Sequence, residues 1–398
     1  MNITITPGML SGKIRAIPSK SQAHRLLICA AFSDKGTHIL CSKTNQDIEA
    51  TVGCLTALGA RIQRTIDGYF VRPVTELPKS AILDCRESGS TLRFMLPVCC
   101  ALGVETTFLL CGRLPNRPLS PLWEELERMG CSLSRPTANT VHVRGKMKPG
   151  TFQIAGNVSS QFISGLLFAT ALMHGNSNIQ IIGNIESLPY ITMTQNALSL
   201  FGVKTDHYKI SGGYPFCSPG RIEVEGDWSN GSFFLIANAL GNQLTIENLN
   251  DSSAQGDRMI SFILSSSDAD PVVNAADIPD LVPILAVFFA SRSGAVFTNV
   301  QRLRTKESDR IETVCSMLRA FGIDANADGD TLTVGYGRFQ GCIIDAANDH
   351  RIAMSAAIAA TIADGPVTIL GAECVAKSYP SFWDEYRRLG GHYEQYIR

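Results

Sequence analysis

Groups of cations and hydroxyls recur where helices are expected to begin. The quoted segments read Pro-Ser-Lys-Ser-Gln-Ala-His-Arg over 18–25, Glu-Ser-Gly-Ser-Thr-Leu-Arg over 87–93, Ser-Ser-Gln over 159–161 and Asn-Asp-His-Arg over 348–351. A helix N-terminus presents unpaired backbone N–H groups and the positive end of its dipole, so it favours phosphate or carboxylate. Ordinary N-capping would explain any one of these segments. Four of them together predict a cleft that gathers several anionic groups.

A second set of charges precedes the helices that are expected to lie outside. Arg117 precedes a proline, Lys377 precedes Ser-Tyr-Pro, and residues 302–310 alternate Arg and Lys with Glu307 and Asp309. A solvated helix start would carry such charges. Alternating signs ahead of an apolar helix also suit a site that neutralises anions and moves protons. The residues alone leave both interpretations open.

The composition indicates a globular chain with a large core. Of 398 residues, 45% are hydrophobic and 18% charged, and 35 Lys and Arg face 36 Asp and Glu for a net charge of −1. Such a chain is neither disordered nor basic enough to bind nucleic acid through bulk charge. Its longest apolar run, 281–290, is well short of the roughly 18 residues of a membrane span. No apolar stretch follows Lys13 and Arg15 as in a signal peptide, so we expect a cytoplasmic protein.

The cysteines and histidines do not form a metal or disulfide pattern. The twelve cysteines include no Cys-x-x-Cys pair, and the seven histidines include no His-x-x-x-His pair. We therefore expect buried, reduced thiols that act as small apolar residues. A protein metal site is therefore not expected.

A repeat positions these groups. Apolar segments, each ending at a glycine, predict buried helices because they lack a polar face; they span 21–36, 88–103, 159–175, 228–241, 278–294 and 349–365. Amphipathic segments between them predict outer helices at 51–59, 122–130, 193–202, 311–322 and 381–390. Each closing glycine suits a left-handed C-cap. The predicted unit is strand, buried helix, strand, outer helix and one or two strands, and six units make two domains of three.

The fourth unit is irregular. Its closing glycine, Gly241, is 53 residues from Gly294, whereas the other intervals are 66–72 residues. Residues 257–267 are a candidate outer helix, but no closing glycine and strand pair follow them. We therefore predict a trimmed unit between 250 and 280.

The combined motifs identify the family that this chain resembles. The matching stretches are PSKSQAHR at 18–25, ESGSTLRF at 87–94, NRPL at 116–119, VSSQF at 158–162, LPY at 188–190, IPD at 278–280, KESDR at 306–310, NDHR at 348–351 and AKSYP at 376–380. In this order they resemble the 5-enolpyruvylshikimate-3-phosphate synthase family over essentially the whole chain.

The resemblance implies a fold and a reaction. The fold would be α/β, an inside-out α/β barrel of two similar domains around buried parallel helices. One domain would span 15–224, and the other 1–14 plus 225–398. The interdomain cleft would bind shikimate 3-phosphate and phosphoenolpyruvate, transfer the enolpyruvyl group to the 5-hydroxyl by addition and elimination, and release phosphate. The enzyme would be a monomer without metal or redox cofactor, acting in aromatic amino acid biosynthesis.

The resemblance also implies residue roles. Asp280 would be the base near the 5-hydroxyl, Glu307 would exchange the methylene proton, and Lys20 would stabilise charge or act as an acid. The residues implied for shikimate 3-phosphate are Lys20, Ser21, Arg25, Ser159, Ser160, Gln161, Ser187, Tyr190, Asp280 and Lys306. Those implied for phosphoenolpyruvate are Lys20, Gly89, Arg117, Gln161, Arg310, Arg351 and Lys377.

The chain departs from the family pattern at three positions. Glu87 replaces a frequent Asn and calls for a partner such as Arg93, Leu188 replaces a frequent Lys, and Arg302 replaces a frequent Asn.

Two alternative functions stay open. The transferase that acts on UDP-N-acetylglucosamine has a loop cysteine upstream of an Arg-Pro pair, as Cys111 lies here upstream of Arg117, but 18–25 lacks its Gly-Ala-Lys-Asn type of opening. A non-catalytic repeat protein that binds anions would explain the helix starts, but not Asp280 together with Glu307.

Overall fold

Apolar segments form helices in this chain, and the β-branched segments that follow them form strands. The structure is a computed structural model that describes residues 1–266 and 271–396. Its helices are α1 Lys20–Ala31, α2 Gln46–Ala57, α3 Gly89–Leu102, α4 Leu122–Arg128, α5 Ser160–Leu172, α6 Leu188–Leu200, α7 Trp228–Ala239, α8 Met259–Ser265, α9 Val282–Ala290, α10 Arg310–Ala320, α11 His350–Ala359 and α12 Phe382–Arg388.

The strands are short and fall between the helices. They are β1 Asn2–Thr6, β2 Ser11–Arg15, β3 Thr37–Leu40, β4 Arg61–Arg64, β5 Gly68–Arg72, β6 Ser80–Asp84, β7 Glu105–Leu109, β8 Cys131–Ser134, β9 Thr140–Gly145, β10 Thr151–Ala155, β11 Gly175–Ile182, β12 Thr205–Asp206, β13 Lys209–Gly212, β14 Arg221–Glu223, β15 Gln243–Glu247, β16 Val272–Asn274, β17 Ala295–Thr298, β18 Ala325–Asp328, β19 Thr331–Val334, β20 Cys342–Asp345, β21 Val367–Leu370 and β22 His392–Tyr396.

The repeat is seen in full in the order β6, α3, β7, α4, β8, β9. The buried helix α3 joins the parallel strands β6 and β7, and β9 pairs antiparallel with both β7 and β8. The sheets β10-β11-β13-β12 and β16-β17-β19-β18 have the same order and directions. The predicted unit is confirmed in these three copies.

Three strands come from a distant part of the chain. In the sheet of α1, the strand parallel to β3 is β14, from the other end of 18–224. The strand that directly precedes α1 in sequence, β2, instead pairs in parallel with β15. The first strand, β1, lies between β21 and β22. The prediction that every unit begins with its own preceding strand is therefore wrong for the first and fourth units, because β14 occupies that place beside β3 and β2 occupies it beside β15.

The contacts divide the chain into two compact units. One comprises Pro18–Val224, and the other comprises Met1–Ile17 with Glu225–Arg398; they are called here the 18–224 unit and the 225–398 unit. Each has its own apolar core, around α1, α3 and α5 in the first and around α7, α9 and α11 in the second. All residues of α9 are buried, as its lack of a polar face predicts. Within 1–266 and 271–396, no helix is long and apolar enough to cross a bilayer.

The closing glycines end some helices but not others. All five that follow outer helices have a positive φ, as do Gly103, directly after α3, and Gly241, two residues after the end of α7. Gly294 also closes a helix, since its φ is +77° and its N–H donates 2.9 Å to the carbonyl of Phe289 in the last turn of α9. The C-cap prediction is wrong for Gly36, Gly175 and Gly365, which lie three or more residues beyond the ends of α1, α5 and α11. Gly36 instead lies against Phe70, since a Cβ there would be 2.8 Å from Phe70 Cζ.

Two outer helices begin earlier than predicted. Helix α2 begins at Gln46 because the Asn45 side chain accepts a hydrogen bond from Ile48 N, and acidic residues occupy the first turn. Helix α6 begins at Leu188, with a proline in its first turn.

The fourth unit is trimmed, as predicted. Its described sheet has only the strands β15 and β2. A 3₁₀ turn at Gly256–Arg258 leads into the short α8 in place of a long outer helix. The predicted end of that helix at 267 lies outside the described residues.

Candidate active site

In the 225–398 unit, a buried arginine joins three carboxylates. Arg310 is the first residue of α10 and its side chain is fully buried. Its Nη1 lies 2.8 Å from Asp280 Oδ1, its Nη2 2.5 Å from Glu307 Oε2, and its Nε 3.0 Å from Asp349 Oδ2. Three carboxylates around one guanidinium leave net negative charge, which other cations must offset.

Those other cations converge on Asp280. Arg351 Nη2 lies 3.1 Å from Asp280 Oδ2, and Lys306 Nζ lies 3.8 Å from Asp280 Oδ1. Burial raises the pKa of Asp280, but Arg351, Lys306 and Arg310 outweigh burial and hold that pKa well below its usual range. Asp280 is therefore ionised at neutral pH, and its side chain remains 22% exposed to a ligand.

Lys306 titrates closer to neutrality than an ordinary lysine. Burial lowers its pKa to about 8, although Asp280 favours the charged form. The positive charges of Arg310 and Arg302 contribute to this lowering of the pKa. An arriving anion would stabilise the charged form, so Lys306 suits a site for anions.

Lys377 lies beside this cluster. Its Nζ donates a hydrogen bond of 2.8 Å to the carbonyl of Asn348, directly before the residue that caps α11. That cap is Asp349, which accepts from Arg351 N at 3.0 Å. The Asn-Asp-His-Arg helix start thus carries both Arg351, one of the residues predicted to bind phosphoenolpyruvate, and a carboxylate that holds Arg310.

In the 18–224 unit, Arg25 is enclosed by two predicted site residues. Its Nη1 donates 2.6 Å to the carbonyl of Ser21, its Nη2 donates 2.8 Å to the carbonyl of Tyr190, and its Nε donates 2.7 Å to Thr194 Oγ1. Burial lowers the pKa of Arg25 to about 10, which still leaves it charged at neutral pH. Lys20, five residues earlier on α1, pairs with Asp47 at 2.8 Å.

A second group in this unit surrounds the start of α3. Gly89 opens the helix, and a Cβ there would lie 2.5 Å from Arg117 Nη1, so glycine leaves the space that Arg117 occupies. Gln161 donates 2.9 Å to Ser90 Oγ and accepts 2.8 Å from Arg93 Nη1. These contacts bring the predicted residues Gly89, Arg117 and Gln161 to neighbouring helix starts.

The predicted serines lie at helix starts, and one of them has a capping role. Ser159 Oγ accepts from Gln161 N at 3.3 Å, so ordinary N-capping applies to it. A hydroxyl both donates and accepts, so this cap leaves its O–H available for an anion. Ser160 is the buried first residue of α5, and Ser187 precedes α6 with a φ of +56°.

Two of the residues that depart from the family pattern, Glu87 and Arg302, have well-defined contacts. The Glu87 carboxylate lies over Gly112, where a Cβ would be 2.4 Å from Glu87 Cδ. Arg93, the partner suggested for it, donates to Gln161 and to the carbonyl of Pro118. Arg302 donates 2.8 Å to the carbonyl of Ala276, and its charge acts on Lys306.

Several residues that the sequence interpretation missed hold the predicted ones. They are Asp47 on Lys20, Asp349 on Arg310, and Ser229, which accepts 3.2 Å from Arg351 Nη2. Asp349 lies within a quoted motif at an N-cap position, so its capping role was readable there. Asp47 and Ser229 carry no local signal because their partners are distant in sequence.

The cysteines are free thiols, and most are buried as expected. Cys111 and Cys217 are exposed and Cys342 is half-buried. Cys111 lies two residues beyond the end of β7. Among the residues that the structure describes, no three His, Cys, Asp or Glu side chains are grouped as for a metal ion.

Fold and clusters together define a class: an α/β protein of repeated strand-helix elements in two units, with cations, hydroxyls and carboxylates grouped at the starts of its helices. The sequence model described as EPSP synthase (3-phosphoshikimate 1-carboxyvinyltransferase) matches residues 5–386. The chain belongs to this family, and the resemblance stated from its motifs is confirmed.

Similar proteins support the assignment. Proteins named 3-phosphoshikimate 1-carboxyvinyltransferase from Clostridium kluyveri and Clostridium acetobutylicum are 35% and 36% identical to it, over 99% and 98% of this chain and 98% and 97% of theirs. A solved EPSP synthase structure from Acinetobacter baumannii has a TM-score of 0.79 at 24% identity, covering 99% of this chain and 100% of that one. This structural likeness confirms the predicted fold class.

Proposed function

We propose that this chain is a 3-phosphoshikimate 1-carboxyvinyltransferase. It transfers the enolpyruvyl group of phosphoenolpyruvate to the 5-hydroxyl of shikimate 3-phosphate and releases phosphate, a step of the shikimate pathway. Family membership supports this activity. The structural observation that carries it is the pair of carboxylates, Asp280 and Glu307, bound to one buried arginine among further cations.

The reaction requires both charge neutralisation and proton transfer. In the addition step, the 5-hydroxyl oxygen bonds to C2 of phosphoenolpyruvate, its proton leaves, and the methylene C3 gains a proton. In the elimination step, C3 returns a proton, the C2–O bond to phosphate breaks, and phosphate departs. Each substrate carries a phosphate and a carboxylate, so preorganised cations supply most of the stabilisation.

Asp280 is proposed as the group that receives the hydroxyl proton. Surrounded by Arg351, Lys306 and Arg310, it is a weak base before substrates bind. Substrate anions offset these cations, which raises the pKa of Asp280 and makes it a stronger base when it is needed. Glu307, 23% exposed and bound to Arg310, is proposed to exchange the C3 proton, and Lys20 to stabilise charge or donate a proton.

The remaining predicted residues are proposed to bind the two substrates. Those for shikimate 3-phosphate are Lys20, Ser21, Arg25, Ser159, Ser160, Gln161, Ser187, Tyr190, Asp280 and Lys306. Those for phosphoenolpyruvate are Lys20, Gly89, Arg117, Gln161, Arg310, Arg351 and Lys377. The proposal requires groups of both units to act on the same pair of substrates in one interdomain cleft.

Phosphate release tests the proposed activity. The purified chain should release phosphate only when shikimate 3-phosphate and phosphoenolpyruvate are both present. Shikimate without its 3-phosphate is the matched control, because it lacks the anion that Lys20 and Arg25 are proposed to bind. Phosphate release with UDP-N-acetylglucosamine in place of shikimate 3-phosphate would assign the alternative transferase. No phosphate release with either acceptor would favour a non-catalytic protein.

We further propose that the enzyme acts in the cytoplasm as a monomer. Free thiols at all twelve cysteines suit a reducing compartment. Every proposed site residue comes from this one chain, so the reaction needs no second copy. Light scattering of the eluted protein at working concentration tests the monomer.

A further inference from the structure

The trimmed fourth unit places a carboxylate in the interior of the 225–398 unit. Asp257 lies in the 3₁₀ turn before α8 and is 1% exposed. The Ser229 hydroxyl, in the first turn of α7, donates a hydrogen bond to Asp257 Oδ2. Burying a charged carboxylate costs free energy unless hydrogen bonds or opposite charges compensate it, so the partners of Asp257 indicate its role.

The same hydroxyl contacts a proposed substrate-binding residue. Arg351 Nη2 donates 3.2 Å to Ser229 Oγ, while this nitrogen also lies 3.1 Å from Asp280 Oδ2. Arg351 Nη1 donates 3.1 Å to the backbone carbonyl of Asp280. The guanidinium is therefore oriented from two sides: by Asp280, and by Ser229 with Asp257 behind it.

We propose that Asp257 is a positioning residue for this reaction, which acts through the Ser229 hydroxyl to orient Arg351 toward the phosphoenolpyruvate anion. The inference rests on the proposed function, since Arg351 matters here as an anion-binding residue. Either protonation state supports the relay, because a hydroxyl and a protonated carboxyl can each donate the bond between them.

The surroundings of Asp257 make its charge, and so its electrostatic effect on Arg351, sensitive to pH. Burial raises the pKa of Asp257 to about 7, and the negative charges of Asp280 and Asp227 act in the same direction. Arg351 and the Ser229 hydrogen bond oppose them. The packed helices α7 and α8 carry no charged residue, and Arg258 on the same turn is exposed.

Substrate binding and protonation of Asp257 are therefore linked. An anion on Arg351 offsets the cation that favours ionised Asp257 and adds a further negative charge nearby. Both effects raise the pKa of Asp257, so the anion binds better when this carboxyl is protonated. Affinity for phosphoenolpyruvate should fall as the pH rises through 7.

Three variants of the full chain test the relay, with phosphate release measured from pH 6 to 8.5. D257N keeps the size and hydrogen bonding of the carboxyl but cannot ionise. S229A removes the bridge and leaves Asp257 in place. D251N, an exposed carboxylate of the same unit, is the matched control.

The expected results separate positioning from a merely structural role. We expect S229A to raise KM for phosphoenolpyruvate at least about threefold with a smaller change in kcat, as lost ground-state orientation predicts. The ratio of D257N to wild type in kcat/KM for phosphoenolpyruvate should rise at least about threefold from pH 6 to 8.5, because only the wild type loses a proton there. D251N should follow wild type throughout.

Contrary results overturn the inference without touching the proposed function. An unchanged KM in folded S229A would show that the relay does not position Arg351. A constant D257N ratio across this pH range would show that the charge of Asp257 does not act on the anion held by Arg351. The wild type is measured beside the variants with both substrates, so a wild type that releases no phosphate would overturn the proposed function separately from the relay. Melting temperatures confirm that each variant is folded.

Discussion

Replacing Glu307 by Gln separates the catalytic role of this residue from its structural one. The change keeps the size of the side chain and a hydrogen-bonding oxygen for Arg310, but it removes the exchangeable proton site. Arg310 retains Asp280 and Asp349, at 2.8 and 3.0 Å, so its buried charge stays compensated. The fold should therefore survive, and removing a negative charge should not weaken the binding of anionic substrates.

The structure sets the expected magnitudes. Glu307 is 23% exposed and is one of three carboxylates on Arg310, so its neutralisation should cost about 1 kcal/mol of folding stability or less. A positioned acid–base group contributes about 10²–10⁴ to turnover. At about 1.4 kcal/mol per tenfold, this is about 3–5 kcal/mol in the activation barrier, several times the stability cost.

The assay follows phosphate release together with deuterium uptake from heavy water into the enolpyruvyl methylene. Glu312→Gln is the matched control, since this carboxylate lies on the first turn of α10 but is 61% exposed. We expect both rates to fall in E307Q and to stay unchanged in E312Q. Near-normal rates of both processes in E307Q would refute the role assigned to Glu307, even with the overall reaction established.

Three further predictions follow from the same contacts. Asp349→Ala should cost about 3–5 kcal/mol in urea unfolding, because it strips a buried partner from Arg310; a loss below about 1 kcal/mol would contradict this. Lys306, with a pKa of about 8, should lose its charge above that pH and then bind shikimate 3-phosphate less well, whereas an arginine would stay charged. The ratio of kcat/KM in K306R to that in the wild type should therefore rise above pH 8, and a constant ratio would contradict this prediction. Exposed Cys111 should tolerate C111S with unchanged melting temperature and most activity; inactivity of the folded variant would favour the UDP-N-acetylglucosamine enzyme.

The fold was predictable from the sequence because the distribution of apolar residues along each helix indicates which of its faces are buried. The wholly apolar α9 could only be buried, and the amphipathic α10 could only be an outer helix. The strand partners were less predictable. Nothing local distinguishes β2 from a strand of the first unit, and its pairing with β15, more than 200 residues away, depends on which sheet edge the chain reaches.

The glycines show how one residue type serves different physical needs. Gly103 ends α3 in the left-handed conformation that the pattern predicted. Gly36 instead permits Phe70 to approach the backbone, and Gly341 permits the backbone of Gly365 to do so. A close approach depends on the partner's position, which the local sequence does not contain, so capping was assigned too widely.

The cations of the candidate site could be predicted from the sequence, whereas most of the carboxylates that pair with them could not. Helix starts rich in Lys, Arg and Ser are local signals, and motif resemblance added Asp280 and Glu307 as proposed acid–base groups. The carboxylates that orient those cations come from other elements, as Asp47 does for Lys20 and Asp349 for Arg310. Their roles follow from tertiary contacts, and only the N-cap position of Asp349 was marked in the sequence.

The most direct test of the proposed activity is the identity of the product formed by the wild-type chain. Shikimate 3-phosphate and phosphoenolpyruvate are incubated with the enzyme in heavy water, and the mixture is analysed by proton and phosphorus NMR. The account predicts an enolpyruvyl ether at the 5-oxygen, one inorganic phosphate per ether formed, and deuterium in the vinyl methylene. Phosphate release accompanied by pyruvate, or by no ether, would contradict it.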